Sequence, residues 1–136
     1  MSASAPPAAS SGSPVTLQVA LDLLNVHRAL DIAKEAVEGG VDWVEAGTPL
    51  IKSEGLEAVR QLKRAFPQKV IVADMKIMDT GGFETEMAAK AGAGVVTVLG
   101  ASDDETIREA VKAGQQYGCK VMVDLIGVHD KPRRAA

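Results

Sequence analysis

The stretch VIVADMKIMDTGG, residues 70–82, decides how the chain folds. Its first four residues are apolar on both faces, as a strand buried in a parallel sheet requires. Charge then arrives at the end of the run, in Asp74, Lys76 and Asp79. Residues two apart on a strand point the same way, so Asp74 and Lys76 are expected to project together from one face of the strand. Gly81 and Gly82 then permit a tight turn into a helix. The whole reads as one strand–helix unit with its polar groups at the strand's C-terminal end.

The same unit recurs on both sides. Apolar runs at 17–22, 41–46, 95–100 and 120–126 predict four more strands, and the central run covers 70–76. Between them, residues 28–38 carry Leu30, Ala33, Ala36 and Val37 at helical spacing, closed by Gly39 and Gly40. Ser53 is expected to cap a helix bearing Leu56, Val59, Leu62 and Phe66, stopped by Pro67. A third helix, beginning after Gly82, buries Met87, Ala88 and Ala91. Ser102 and Glu105 suggest a capping box for a fourth, with Ile107, Ala110 and Val111 inward.

Acidic residues recur at the run ends, at Asp22, Glu45, Asp74 and Asp124, spaced 23, 29 and 50 residues apart, the last interval spanning two units through the run that ends near Leu99. That pitch is close to one strand–helix unit per ~25 residues, as in an eightfold barrel. The expected fold class is α/β, a (β/α)8 TIM barrel truncated here to about five strands and four helices. Residues 1–14, rich in Ala, Ser and Pro, read as a disordered tail. Residues 15–128 read as the partial barrel and 129–136 as a polar end.

Composition narrows the function. The 136 residues are 46% hydrophobic but only 3% aromatic, with a net charge of −3. Mild acidity and the lack of a basic block argue against nucleic acid as a partner. No apolar stretch approaches the ~18 residues of a membrane span. The start of the chain lacks the basic and apolar segments of a secretory signal, so a cytoplasmic location is expected. A lone Cys119 fits a reducing compartment and reads as an inert buried thiol. His27 and His129 lie in turn-like positions and read as incidental.

An ionised carboxylate at the end of a buried strand is costly unless paired, hydrogen-bonded or bound to a metal. Four among five units point to a site on the C-terminal rim, where barrel enzymes do their chemistry. Opposite charges on both sides hold Lys76 protonated, which suits it to stabilising an anion or donating a proton, not to forming a Schiff base.

The D-x-K-x-x-D arrangement of Asp74, Lys76 and Asp79 resembles the signature of the orotidine 5′-monophosphate decarboxylase suprafamily. Within it, LQVALDLLNV (17–26), VEAGTPLIKSEG (44–55), VADMKIMDTGGFETEMAAKAGA (72–93), VTVLGASDD (96–104) and VMVDLIGV (121–128) are similar to the 3-hexulose-6-phosphate synthases. The resemblance implies a carbon–carbon lyase of the aldolase type. Such an enzyme condenses formaldehyde with D-ribulose 5-phosphate, to D-arabino-hex-3-ulose 6-phosphate, through an enediolate stabilised by Mg²⁺. It further implies Glu45 and Asp74 as metal ligands, and Lys76, Asp79 and Asp74 as catalytic residues. Asp22 and Asp124 become substrate contacts, and Asp79 reaches across the interface of a homodimer.

The family's sixth-strand histidine motif and its phosphate loops have no counterpart after Val128, so the chain is expected to carry the metal half of the site. Two alternatives stay open. One is a decarboxylase of 3-keto-L-gulonate 6-phosphate or orotidine 5′-monophosphate. The other is an inactive half-barrel.

Overall fold

Residues 15–136 are described by the computed structural model, so the expected tail at 1–14 lies outside the described residues. Five strands run parallel in sequence order: β1 (Gln18–Leu21), β2 (Trp43–Ala46), β3 (Val70–Ile77), β4 (Val95–Leu99) and β5 (Lys120–Asp124). Between and after them lie α1 (Val26–Glu38), α2 (Thr48–Glu54), α3 (Glu57–Ala65), α4 (Gly81–Lys90), α5 (Asp104–Tyr117) and α6 (Lys131–Ala135). All five expected strands are present.

Strand alternation divides the sheet into two faces. Leu21, Val44, Ala46, Ile71, Ala73, Ile77, Val96 and Val98 turn toward the helices and join one buried cluster with Ala33, Val59, Leu62 and Ala88. Removing each large aliphatic side chain from water contributes about 1.5–3 kcal/mol. The opposite face carries Gln18, Glu45, Val72, Asp74, Thr97 and Met122. That second face holds the polar groups.

Helix boundaries correct several expectations. There are six helices among the described residues, not four, because a separate helix, α2, precedes the second expected one and the polar end forms α6. Ser53 is no cap: it lies inside α2, and its hydroxyl donates to the Leu24 carbonyl at 2.7 Å. Gly47-Thr48-Pro49 starts that helix, and Gly55, at φ +66°, breaks it before α3 begins. The capping box at Ser102 also fails. Its hydroxyl donates back to the Leu99 carbonyl at 2.6 Å, and Asp103 occupies the cap position. Asn25, which the sequence did not single out, caps α1 by accepting from the Arg28 amide at 3.0 Å. His27 accordingly belongs to the first turn of α1 and not to a turn between elements.

Two residues expected inward face out. Met87 is 39% exposed and Val111 40%. The cause is the close approach of α4 and α5. A Cβ on Gly81 would stand 2.0 Å from the Thr106 carbonyl oxygen, so the helices meet along their small residues, with Thr85, Ala88, Ala110 and Ala113 buried. Larger side chains flanking that seam are left outside. The helix itself starts at Gly81, two residues earlier than expected.

α6 folds back on the β4–α5 connection. The Arg134 guanidinium donates to the Gly100 carbonyl at 2.6 Å and the Ser102 carbonyl at 2.8 Å, and it also bonds the Asp104 carboxylate. Cys119 is buried, and burial pushes its thiol up to about 11, so it stays protonated and unreactive at neutral pH.

Candidate active site on the inner face

β3 departs from regular pairing where its charged residues begin. Ala73 pairs with Val96 and Ile77 with Val98, so residues 74–76 stand opposite the single residue Thr97. Lys76 takes up the excess at φ 48°, a left-handed conformation that side chains rarely adopt and that is common at functional sites. Its backbone amide donates to the Thr97 hydroxyl at 2.9 Å. Asp74 and Lys76 do come together, as expected. They do so through a bulge and not through plain strand alternation.

Asp74 is 7% exposed, and each of its carboxylate oxygens has a hydroxyl partner. Thr97 Oγ1 lies 2.8 Å from Oδ1, and Thr48 Oγ1 lies 2.7 Å from Oδ2. Thr48 is also 2.8 Å from the Asp74 carbonyl, and its one proton serves one of these two acceptors at a time. Lys76 Nζ stands 3.1 Å from Asp74 Oδ2 and 2.6 Å from Asp124 Oδ2. The other oxygen of Asp124 accepts from the Ile126 amide at 2.9 Å.

These contacts set the protonation states. Burial pushes the Asp74 carboxyl up, but donation from Thr48, Thr97 and Lys76 outweighs it and holds the group below the usual carboxylate range. Asp124 is lowered chiefly by its hydrogen bond to Lys76. The Lys76 ammonium is raised, first by Asp124 and then, against the cost of burial, by Asp74. Lys76 is therefore a fixed cation. Glu45 goes the other way: burial raises its carboxyl, and the negative charges of Asp74 and Asp22 add to this, against the hydrogen bond from Gln18.

Gln18, Glu45, Val72, Asp74, Lys76, Thr97, Met122 and Asp124 line a cleft of about 380 Å³. Three carboxylates there face one ammonium, so the cleft is acidic. A separate cleft between α5, β5 and α6, lined by Ile107, Val123 and Leu125, holds Asp104, Arg108 and Arg134, which pair with one another.

The other expected residues lie at its margin. Asp22 is exposed, beside the β2–α2 turn, where a Cβ on Gly47 would come within 2.1 Å of its Oδ1. It acts on Glu45 by charge. Asp79 is exposed in the β3–α4 connection, where its Oδ1 accepts from the Thr80 amide at 2.7 Å, and it does not line the cleft. Sequence reading missed the uncharged members Gln18, Thr48 and Thr97. Thr97 carried a usable signal, as a hydroxyl inside the otherwise aliphatic VVTVL.

The donor set suits a hard divalent cation. Glu45 and Asp74 offer oxygen ligands; the Glu45 carboxyl is raised first by burial and then by the charges of Asp74 and Asp22, and a cation would relieve that repulsion. No group of three His, Cys, Asp or Glu side chains forms a metal cage among the described residues. Mg²⁺ is ordinarily held by one or two carboxylates, with water and substrate oxygens completing its shell. Two carboxylates on an open cleft match that pattern.

Comparison with known proteins places the chain in a family. A 3-hexulose-6-phosphate synthase of Mycobacterium gastri is 53% identical over 119 residues, covering 88% of this chain and 57% of the relative. A crystal structure of 3-hexulose-6-phosphate synthase superposes with a TM-score of 0.87 at 53% identity, over 89% of this chain and 58% of that one. The structure of 3-keto-L-gulonate-6-phosphate decarboxylase from Vibrio cholerae gives 0.82 at 32% identity, over 86% and 54%. The chain thus spans somewhat over half the length of the relatives it matches. The model of the orotidine 5′-phosphate decarboxylase / HUMPS family matches residues 16–136, and the chain belongs to that family.

Proposed function

We propose that this chain supplies the metal-and-lysine half of an aldolase-type lyase site. The reaction is condensation of formaldehyde with D-ribulose 5-phosphate to give D-arabino-hex-3-ulose 6-phosphate. The observation that carries the proposal is the convergence of Glu45, Asp74, Lys76 and Asp124 on one face of the sheet. Forming a carbon nucleophile from a ketose phosphate places negative charge on a sugar oxygen at neutral pH. Lys76, held protonated by two carboxylates, sets a fixed positive charge beside that oxygen. Asp74 and Asp124 keep the ammonium in place, and Asp22 and Asp124 offer acceptors to sugar hydroxyls.

Glu45 and Asp74 would hold Mg²⁺. When bound, the ion supplies Lewis-acid stabilisation of the sugar's developing negative charge. It also offsets an acidic cleft that would otherwise repel a phosphorylated substrate. The exposed position of Asp79 is compatible with a role at a neighbouring subunit, and a homodimer is part of the proposal. A single buried thiol accords with the reducing cytoplasm.

Greater identity to the synthases than to the sister decarboxylase favours the aldol reaction. The test is to mix the protein with ribulose 5-phosphate, formaldehyde and MgCl₂, and to follow formaldehyde by colorimetry. Consumption that requires all three components supports the proposal. Carbon dioxide released from 3-keto-L-gulonate 6-phosphate, with formaldehyde untouched, replaces it with the decarboxylase reading.

A further inference from the structure

We propose that the Thr97 hydroxyl is the positioning group that locks Asp74 and Lys76 into a single arrangement at the end of β3. The inference rests on the function proposed above and adds to it an uncharged residue that acts through Asp74 and Lys76.

Thr97 lies on β4 and is 5% exposed. Its Oγ1 is 2.8 Å from Asp74 Oδ1 and 2.9 Å from the Lys76 amide nitrogen. An ionised carboxylate only accepts and an amide N–H only donates, so the hydroxyl's orientation is fixed. It gives its proton to Asp74 and receives the Lys76 N–H. One oxygen thus ties a carboxylate and a main-chain amide together across two strands.

The bulge makes this tie necessary. Three residues of β3 face one of β4, so the Lys76 amide is out of register with the β4 backbone. The threonine side chain replaces the missing ladder partner. It also anchors Lys76 at φ 48°, a conformation that persists only where its surroundings impose it. From that anchor the side chain reaches both Asp74 and Asp124. The neighbours Val95, Val96 and Val98 show that valine fits this strand, so the hydroxyl is the distinguishing feature of position 97.

The test uses the intact chain with Thr97→Val, which removes the hydroxyl at nearly constant shape, and Thr97→Ser, which keeps it. Amide hydrogen exchange is read residue by residue by NMR. The wild type is expected to protect the Lys76 amide. Thr97→Val loses that protection, while Val96 and Val98 keep theirs, and Thr97→Ser restores it. In the condensation assay, Thr97→Val lowers kcat about 10²-fold with KM for ribulose 5-phosphate nearly unchanged, the size expected for a small misplacement of reacting groups.

A freely exchanging Lys76 amide in the wild type overturns the proposal, even if the valine variant fails to fold. Retained protection in Thr97→Val overturns it too, as does a serine variant that behaves like valine. A wild type that leaves formaldehyde unchanged counts against the proposed reaction alone, since the exchange rates still decide the role of Thr97.

Discussion

Lys76 Nζ lies 2.6 Å from Asp124 Oδ2, which joins the third strand to the fifth across the inner face of the sheet. The two residues are 48 positions apart, with β4 between their strands. The same ammonium also contacts Asp74 at 3.1 Å, so one cation holds two carboxylates. Replacing Lys76 with Ala leaves both acids without their cation and removes the positive charge from the cleft. Condensation activity should fall to background while the circular dichroism spectrum stays that of the wild type. Lys76→Arg should not restore activity, because a planar guanidinium cannot take the place of a compact ammonium.

How far the sequence foretold this arrangement can be judged residue by residue. Asp74, Lys76 and Asp124 were legible because a charge at the end of an apolar run is costly unless it is paired, hydrogen-bonded or bound to a metal. Their meeting was expected from strand alternation, whereas the structure achieves it with a bulge at residues 74–76, which no period-two pattern encodes. Thr48 and Thr97 escaped notice because hydroxyls are ordinary in strands and turns, although the lone hydroxyl of Thr97 in the aliphatic VVTVL was a usable signal. Ser53 and Ser102 misled for a related reason. Each stood in a plausible capping position, but each hydroxyl donates to a nearby carbonyl. The Leu99 carbonyl is local to Ser102, whereas the Leu24 carbonyl lies 29 residues from Ser53, and a linear pattern shows neither competing acceptor.

Glu45 should weaken the fold at neutral pH. Its carboxyl is raised, so its contribution to stability is present below the ordinary glutamate value and is lost as pH rises through the folded one. Glu45→Gln removes the ionised charge. The variant should melt above the wild type at pH 7 and lose that advantage as the pH falls below about 4. Differential scanning calorimetry across this range checks it, and equal melting temperatures at pH 7 would refute it.

Asp74 and Asp124 have the opposite sign. Both are lowered, so the stability they contribute is present above the ordinary aspartate value and disappears as pH falls through their folded values. The wild type should lose stability on acidification below about 4. Asp74→Asn should flatten that acid limb. At pH 7 the same variant should be less stable by about 1–3 kcal/mol, because buried partners lose their acceptor. Urea unfolding at pH 7 and at acid pH measures both effects.

Gly47 should tolerate no side chain. A Cβ there would meet Asp22 Oδ1 at 2.1 Å and the Leu21 carbonyl oxygen at 2.8 Å. Gly47→Ala should displace the Asp22 carboxylate and destabilise the chain by about 1–3 kcal/mol. It should also raise KM for the sugar phosphate more than it lowers kcat. Gly118→Ala, at φ +70° with open space around it, should cost stability without touching KM.

The direct measurement of the central claim is cation binding. Mn²⁺, standing in for Mg²⁺, is titrated into the wild type, Glu45→Gln and Asp74→Asn with ribulose 5-phosphate present, and bound ion is read by electron paramagnetic resonance. Glu45 and Asp74 acting as a joint oxygen site predicts one bound ion per chain in the wild type and loss of that ion in both variants. Undiminished binding in either variant, or none in the wild type, would contradict a metal held between these two carboxylates.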